Sequence, residues 1–324
     1  MVIRRTISLA LLGVFFIWLL VYIRSHAVEF SHIFDLSIEI LLLLFVVLLV
    51  DSIILGVFTK ILLGHLGVAL RFVEWYGLSI VSNLWNYILP FRGGAGIRAV
   101  YLKKVYQFKI SDFLGTMMAL YFVTFLVNSI IGLSCLLYLY YEKHYLNVPV
   151  FSFLLIVFAI SSIVIGLSPR IHYSGNRFVE KLCEVLNAWH SIKRNHKLIM
   201  KLIIVILFHA LFQLLGIYLG FRAYGLKIAL YQCLLISSLL EFSALANLTP
   251  GSLGITEGIM VIGAQLFGVT PAQSLLSAGL IRVVNMCLIF STGPLFQYFL
   301  TENIKGVPAT LFSETRCTIT RGEN

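Results

Sequence analysis

The chain has 324 residues, of which 60% are apolar and only 12% charged, with a formal net charge of +10 and a mean hydropathy of +0.96. Soluble domains carry about 25% charged residues, so a chain of 36.5 kDa with this composition has too little polar surface to cover a globule in water, which excludes a soluble enzyme and makes lipid the solvent. The basic residues lie in short stretches between apolar runs and do not alternate with exposed aromatics, an arrangement that fits cytoplasmic loops beside anionic headgroups and argues against nucleic acid.

In chain order, Arg4 and Arg5 precede an apolar run over residues 7–23, with Ser25, His26 and Ala27 beyond it. This has the outline of a signal peptide and cleavage site, but the many runs that follow favour a retained first span. Uncharged or nearly uncharged runs long enough to cross about 30 Å of hydrocarbon, roughly 20 helical residues, recur at 36–58, 113–141, 150–167, 202–221 and 228–248. Two further stretches, 72–90 and 251–268, are interrupted by Gly, Pro, Asn and Glu, and a last one, 272–300, contains Arg282 and Pro294. The alternation of a β-barrel is absent, so the predicted class is all-α: a polytopic helical membrane protein of about seven or eight transmembrane helices. One integral membrane domain is expected over residues 1–300, divided into halves at 1–167 and 202–300 by a basic segment at 168–201, with a short polar tail at 301–324.

Orientation follows from Lys and Arg asymmetry. The segments 92–109 and 170–201 concentrate half of the basic residues and are predicted to be cytoplasmic, which puts the N-terminus inside. The stretch 72–90 then has basic flanks on the same side at both ends, so it is predicted to dip into the membrane and return, which broken backbone can do only where it packs on protein or lines a cavity. A re-entrant 251–268 would leave the C-terminus outside and a crossing version would leave it inside. Within the basic segment Phe178, Leu182, Val185, Leu186, Trp189 and Ile192 recur at helical spacing, predicting a helix that lies in the interface or binds a partner.

The chemistry concentrates in the two interrupted stretches. Asn86, Pro90, Gly93, Gly94 and Gly96 lead to Arg98, and Asn247, Pro250, Gly251 and Gly254 lead to Glu257. Sliding by 159 residues puts Glu257 on Arg98, Phe267 on Phe108 and Thr270 on Ser111, and sliding by 160 pairs Pro250 with Pro90 and Gly254 with Gly94, the pattern of a diverged internal repeat. Paired broken helices in corresponding halves point to a transport site: each break frees backbone N–H groups and a positive dipole end inside the membrane, where an anion can be held. Arg92 and Arg98 offer planar, permanently charged donors suited to phosphate, with interfacial anchoring as their other reading. Glu257 and Arg282 are charges that insertion scales price at about 3 kcal/mol each, so they pair with each other or bracket a cavity. The predicted substrate-binding set is therefore Arg92, Arg98, Glu257, Arg282, Pro90, Gly94, Pro250, Gly251 and Gly254. The bland reading of each Gly-Pro segment is a tight turn with close helix packing. Asp51, Glu241, His209, Gln213, Asn128 and Asn285 are read as structural by default.

Five scattered cysteines, with no Cys-x-x-Cys pair and no His at ligand spacing, support neither a disulfide framework nor zinc. No nucleophile elbow, His-Glu-x-x-His or phosphate-binding Gly-Lys-Thr/Ser loop is present, so no soluble-type catalysis, metal or cofactor is expected.

The segments Pro90-x-Arg92-x-Gly94-Ala95-x-x-Arg98 and Pro250-Gly251-x-Leu253-Gly254-x-x-Glu257, with Gly268 and Arg282 beyond, resemble the lysylphosphatidylglycerol synthase transmembrane-region family, also called flippase-like membrane proteins. Ala95 stands where that family has an acid, and Leu120-Tyr121 where it has a Glu-Arg pair. The resemblance implies a lipid or polyprenyl-linked substrate moved between leaflets of a prokaryotic cytoplasmic membrane, with phosphate-bearing lipids as partners. The alternative it implies is a membrane-embedded enzyme, or a subunit beside a glycosyltransferase or synthase, in lipid-linked sugar or aminoacyl-phospholipid synthesis. Without the family's aminoacyl-transferase domain in these 324 residues, aminoacyl transfer by the chain alone is not expected.

Overall fold

A computed structural model describes residues 36–167, 177–246 and 249–305. The predicted span at 7–23, its signal-peptide alternative and the tail after residue 305 lie outside the described residues. In chain order the helices are α1 (Ile38–His65), α2 (Phe72–Ile88), α3 (Gly93–Tyr106), α4 (Ile110–Lys143), α5 (Val148–Leu167), α6 (Arg177–Lys193), α7 (His196–Arg222), α8 (Leu230–Glu241), α9 (Ile255–Gln265) and α10 (Pro271–Lys305), and no strand occurs among the described residues. α1, α4, α5, α7 and α10 are long and apolar enough to cross a membrane. The chain is an all-α polytopic membrane protein.

The breaks fall where backbone chemistry requires them. Pro90 supplies no N–H to continue α2 and forces its predecessor out of the helical region; Leu89 accordingly turns extended at φ −102° and ψ 139°. Phe91 and Arg92 then adopt left-handed backbone at φ 56° and 53°, which non-glycine residues hold only when their surroundings fix them. α3 turns back so closely over α2 that a Cβ on Gly94 would stand 1.8 Å from the Ser82 carbonyl oxygen. The Gly94 N–H donates to Asn86 Oδ1 at 3.0 Å.

The second interrupted region differs from its expected form. The run 228–248 does not make a membrane-crossing helix: α8 ends at Glu241 and passes into a 3-10 segment, Phe242–Ala246. A second 3-10 turn, Pro250–Ser252, precedes α9, with left-handed glycines at Gly251 (φ 60°) and Gly254 (φ 83°). Proline and these glycines uncouple α9 from α8, and together the two helices form the counterpart of the α2–α3 hairpin.

Both hairpins are closed at their bases. In the first, Glu74 on the opening turn of α2 accepts from Tyr101 and Tyr106 near the end of α3, at 2.9 and 2.7 Å. In the second, the Tyr231 ring at the start of α8 lies edge-on to Phe267 beyond α9, centroids 6.3 Å apart. Asn303, near the end of α10, reaches Tyr101 at the first base, while Tyr138, near the end of α4, meets Tyr231 at the second. The hairpins therefore open toward opposite faces of the bundle, and α10 ends on the face of the first base. The contact between His65 and Asn195, and the seating of Ala188 and Trp189 of α6 against Gly115 of α4, put α6 and the start of α7 on that same face.

The two halves repeat one plan. α1, α2, α3 and α4 begin at 38, 72, 93 and 110, and α7, α8, α9 and α10 at 196, 230, 255 and 271, displacements of 158, 158, 162 and 161 residues. The caps agree: Glu74 accepts from the Arg71 N–H at 2.9 Å, and Gln232, 158 positions on, accepts from the Ala229 N–H at 3.0 Å. Packing is reciprocal as well, since α2 lies against α10 as α8 lies against α4, while the first helices of the halves, α1 and α7, pack on each other. With α4 and α5 crossing between them, α1 and α7 run in opposite directions, which makes this an inverted repeat.

Candidate functional site

The tips of the hairpins meet in the interior. A Cβ on Gly251 would be 2.7 Å from the Tyr87 ring, so the second tip rests on the last turn of α2. Around this junction lies a cavity of about 450 Å³ whose charged lining residues are Asp51, Arg92, Arg98, Glu241, Glu257 and Arg282, with His209 among them. Every one of these side chains sits on, or packs against, a break or the α1–α7 contact.

On the second tip the charges are satisfied internally. Arg282 of α10 pairs through Nε with Glu257 Oε1 and donates from Nη1 to the Gly251 carbonyl at 3.0 Å. The other Glu257 oxygen accepts from the Gly254 N–H at 2.7 Å, so the carboxylate caps the exposed N-terminus of α9 and opposes its dipole. Tyr87, under the Arg282 guanidinium, accepts from Asn285 at 3.2 Å.

The first tip is different, because α3 has no acid in its first turn. Arg92 donates to the Tyr121 hydroxyl and lies over that ring, 5.1 Å from its centroid; Tyr121 thus supports the arginine where the family pattern has a charge pair. Arg98 donates from Nε to Ser82 Oγ at 3.2 Å and from Nη1 to Thr59 Oγ1 at 3.3 Å. No carboxylate lies within ion-pair distance of Arg98 among the described residues. A guanidinium has five N–H donors, so two hydroxyl contacts leave it with donors and a full charge facing the cavity.

A third cluster joins the halves at the α1–α7 contact. His209 Nδ1 is 2.6 Å from Asp51 Oδ1, and His209 Nε2 is 3.0 Å from Glu241 Oε1. Asp51 and His209 are 158 residues apart, the displacement of the helix starts, so they are counterparts in the repeat. The displacements of 159 and 160 residues legible in the sequence miss this pair by one or two positions, and the sequence reading of Asp51, His209 and Glu241 is structural. Gln213 and Asn285 also line the cavity, whereas Asn128 is buried away from it and donates to its own helix at the Thr124 carbonyl.

Of the residues singled out from sequence, Arg92, Arg98, Gly251, Glu257 and Arg282 line the cavity. Pro90, Gly94, Pro250 and Gly254 do not; they shape the breaks that bring the others together. Tyr121 was marked only as a departure from the family's charge pair, and Thr59 and Ser82 carried no sequence signal, since a lone Ser or Thr hydroxyl in an apolar helix usually bonds its own backbone.

A family model described as lysylphosphatidylglycerol synthase TM region matches residues 2–293. No curated protein and no solved structure matches the chain.

Proposed function

Since this chain belongs to the lysylphosphatidylglycerol synthase TM region family, a membrane-lipid family, we propose that it is a translocase that moves a phosphate-bearing lipid or polyprenyl-linked substrate between leaflets. The observation that carries this reading is Arg98, held in an intramembrane cavity by two neutral hydroxyls on the second turn of a broken helix with no acid in its first turn. An arginine and a positive helix end without a carboxylate are matched by a phosphate, which takes planar paired donors. The tips differ in charge: the first is capped by the neutral Asn86, the second by the Glu257 carboxylate. Apolar side chains at both tips, among them Ile88, Phe91, Leu245 and Leu253, are exposed and give acyl or prenyl chains a path beside the polar cavity.

Inverted hairpins meeting at one site suit alternating access, in which one half rocks against the other around a fixed ligand. We place the face holding the base of the first hairpin, α6 and the end of α10 in the cytoplasm, because Lys103, Lys104, Lys109, Lys181, Lys193 and Lys305 gather there, against Lys143, Arg222 and Lys227 on the other. The test is reconstitution into phosphatidylglycerol vesicles carrying a trace of headgroup-labelled phosphatidylglycerol, with a membrane-impermeant quencher. Wild-type protein is expected to expose inner-leaflet label and Arg98→Gln to lose that exposure while keeping its fold; equal rates with and without protein would overturn the reading.

A further inference from the structure

The cavity contains a balanced set of fixed charges and one group that tips the balance. Asp51, Glu241 and Glu257 oppose Arg92, Arg98 and Arg282, three against three, so the net charge is zero when His209 is neutral and +1 when it is an imidazolium. We propose that His209, clamped between Asp51 and Glu241, is a proton-binding site that charges the cavity for an anionic lipid headgroup, so that the lipid phosphate is taken up together with one proton. This rests on the reading of the cavity as a lipid site and adds to it the coupling ion.

The argument begins with hydrogen-bond geometry. A neutral imidazole has one N–H and one lone pair, yet both ring nitrogens face carboxylate oxygens, at 2.6 and 3.0 Å. Two ionised carboxylates satisfy both nitrogens only if both carry protons, or if one carboxylate holds a proton in place of the ring. Either way the cluster contains one proton more than a neutral histidine between two carboxylates. When that proton leaves, from Nε2–H or from the acid, to water in the cavity, one contact becomes a lone pair against an anion and has to open. Glu241 is the partner at the longer distance, and it ends α8 where the 3-10 break begins, so it is the group best placed to swing away.

The remaining charges around the cluster give the release a direction. From α3 Arg92 acts on Glu241 across the cavity, and from α7 itself Gln213 faces it. From α4 the facing group is Tyr121, engaged with Arg92. From α10 it is Arg282, already paired with Glu257 of α9, and Arg98 of α3 has hydroxyl partners only. A Glu241 released from His209 therefore has Arg92 as the arginine that acts on it, and a contact between them takes one arginine away from a bound phosphate. Proton loss and anion loss favour each other, and by reciprocity anion binding raises the proton affinity of the cluster.

The test measures binding of dihexanoylphosphatidylglycerol to the purified full-length protein in dodecyl maltoside over a series of pH values, with a pH indicator in weak buffer. Wild type is expected to take up protons as the lipid binds, and its affinity to fall by up to about tenfold per pH unit on the alkaline side. His209→Gln is expected to bind with no pH slope and no proton uptake. Glu241→Gln, which removes one negative charge and still offers His209 a hydrogen-bonding side chain, is expected to keep at alkaline pH the affinity that wild type has only at acid pH, and it serves if His209→Gln does not fold. A wild-type affinity flat in pH, a slope retained in His209→Gln, or weaker binding by Glu241→Gln at every pH would each overturn the proposal. Equal competition by inorganic phosphate would overturn the lipid as the anion's source. Because binding is read without a membrane to cross, proton-linked binding without movement in vesicles would sink only the translocase reading, and movement with pH-independent binding would sink only this one.

Discussion

Replacing Glu257 by Gln, Arg282 by Gln, and both together isolates the charge pair that locks the second tip. Both side chains are 15% exposed, so the pair is largely withdrawn from water but borders the cavity. Two unit charges at 4 Å interact by about 4 kcal/mol at an effective dielectric near 20, and removing one member of a buried pair typically destabilises by about 3–5 kcal/mol because the other is left uncompensated. Cavity solvation of the orphaned group favours the lower end, so each single variant is expected to lose about 3 kcal/mol. Glu257→Gln also weakens the cap on the Gly254 N–H by about 1 kcal/mol, and Arg282→Gln gives up the bond to the Gly251 carbonyl, about 1 kcal/mol. The double variant leaves no unpaired charge and is expected to be no worse than either single one, a coupling of at least about 3 kcal/mol. Equilibrium unfolding in mixed micelles, followed by tryptophan fluorescence, supplies the cycle. Effects that add within about 0.5 kcal/mol would show that the two side chains do not depend on each other and would refute the structural account of the second tip.

Gly94→Ala is expected to abolish folded protein, since its Cβ would stand 1.8 Å from a backbone oxygen that cannot move aside as a side chain does, a strain well above the 1–3 kcal/mol of ordinary overpacking; Gly96→Ala on the same helix meets nothing within 4 Å and should gain up to about 1 kcal/mol from helix propensity. Thermal melting of the two variants beside wild type checks both. Tyr121→Phe keeps the ring under Arg92 but removes its hydroxyl partner; a loss of about 1 kcal/mol with slowed lipid movement in vesicles is expected, and unchanged transport would show that Arg92 needs no support from α4. Single cysteines at Lys104 and Lys181, in a background lacking the native cysteines, should label from one side of the membrane, and one at Lys227 from the other.

What the sequence determined follows from properties that act locally. Apolar length and scarce charge require membrane helices whatever their neighbours, Pro90 and Pro250 break any helix that contains them, and the Gly-rich turns mark close approach before it is known what is approached. Even the repeat is legible, because its halves preserve the spacing of their breaks and caps. The same local reasoning failed at the run 228–248, where apolar length alone suggests a span. The backbone instead stops at Glu241, whose carboxylate reaches His209, and the left-handed glycines beyond it begin a separate helix. That changes the number of crossings, and α10 ends on the face where the first hairpin is based. The polar residues divide in the same way. Glu257 and Arg282 stood out because a charge within an apolar run is costly wherever it lies, but Asp51, His209 and Glu241 are 158 and 32 residues apart in their two contacts, and nothing in their own segments states which of them meet. Whether a buried polar side chain is a packing hydrogen bond or part of a charged site depends on the atoms across from it, and only the packing of α1 on α7, with the break after α8 beside them, brings those atoms together.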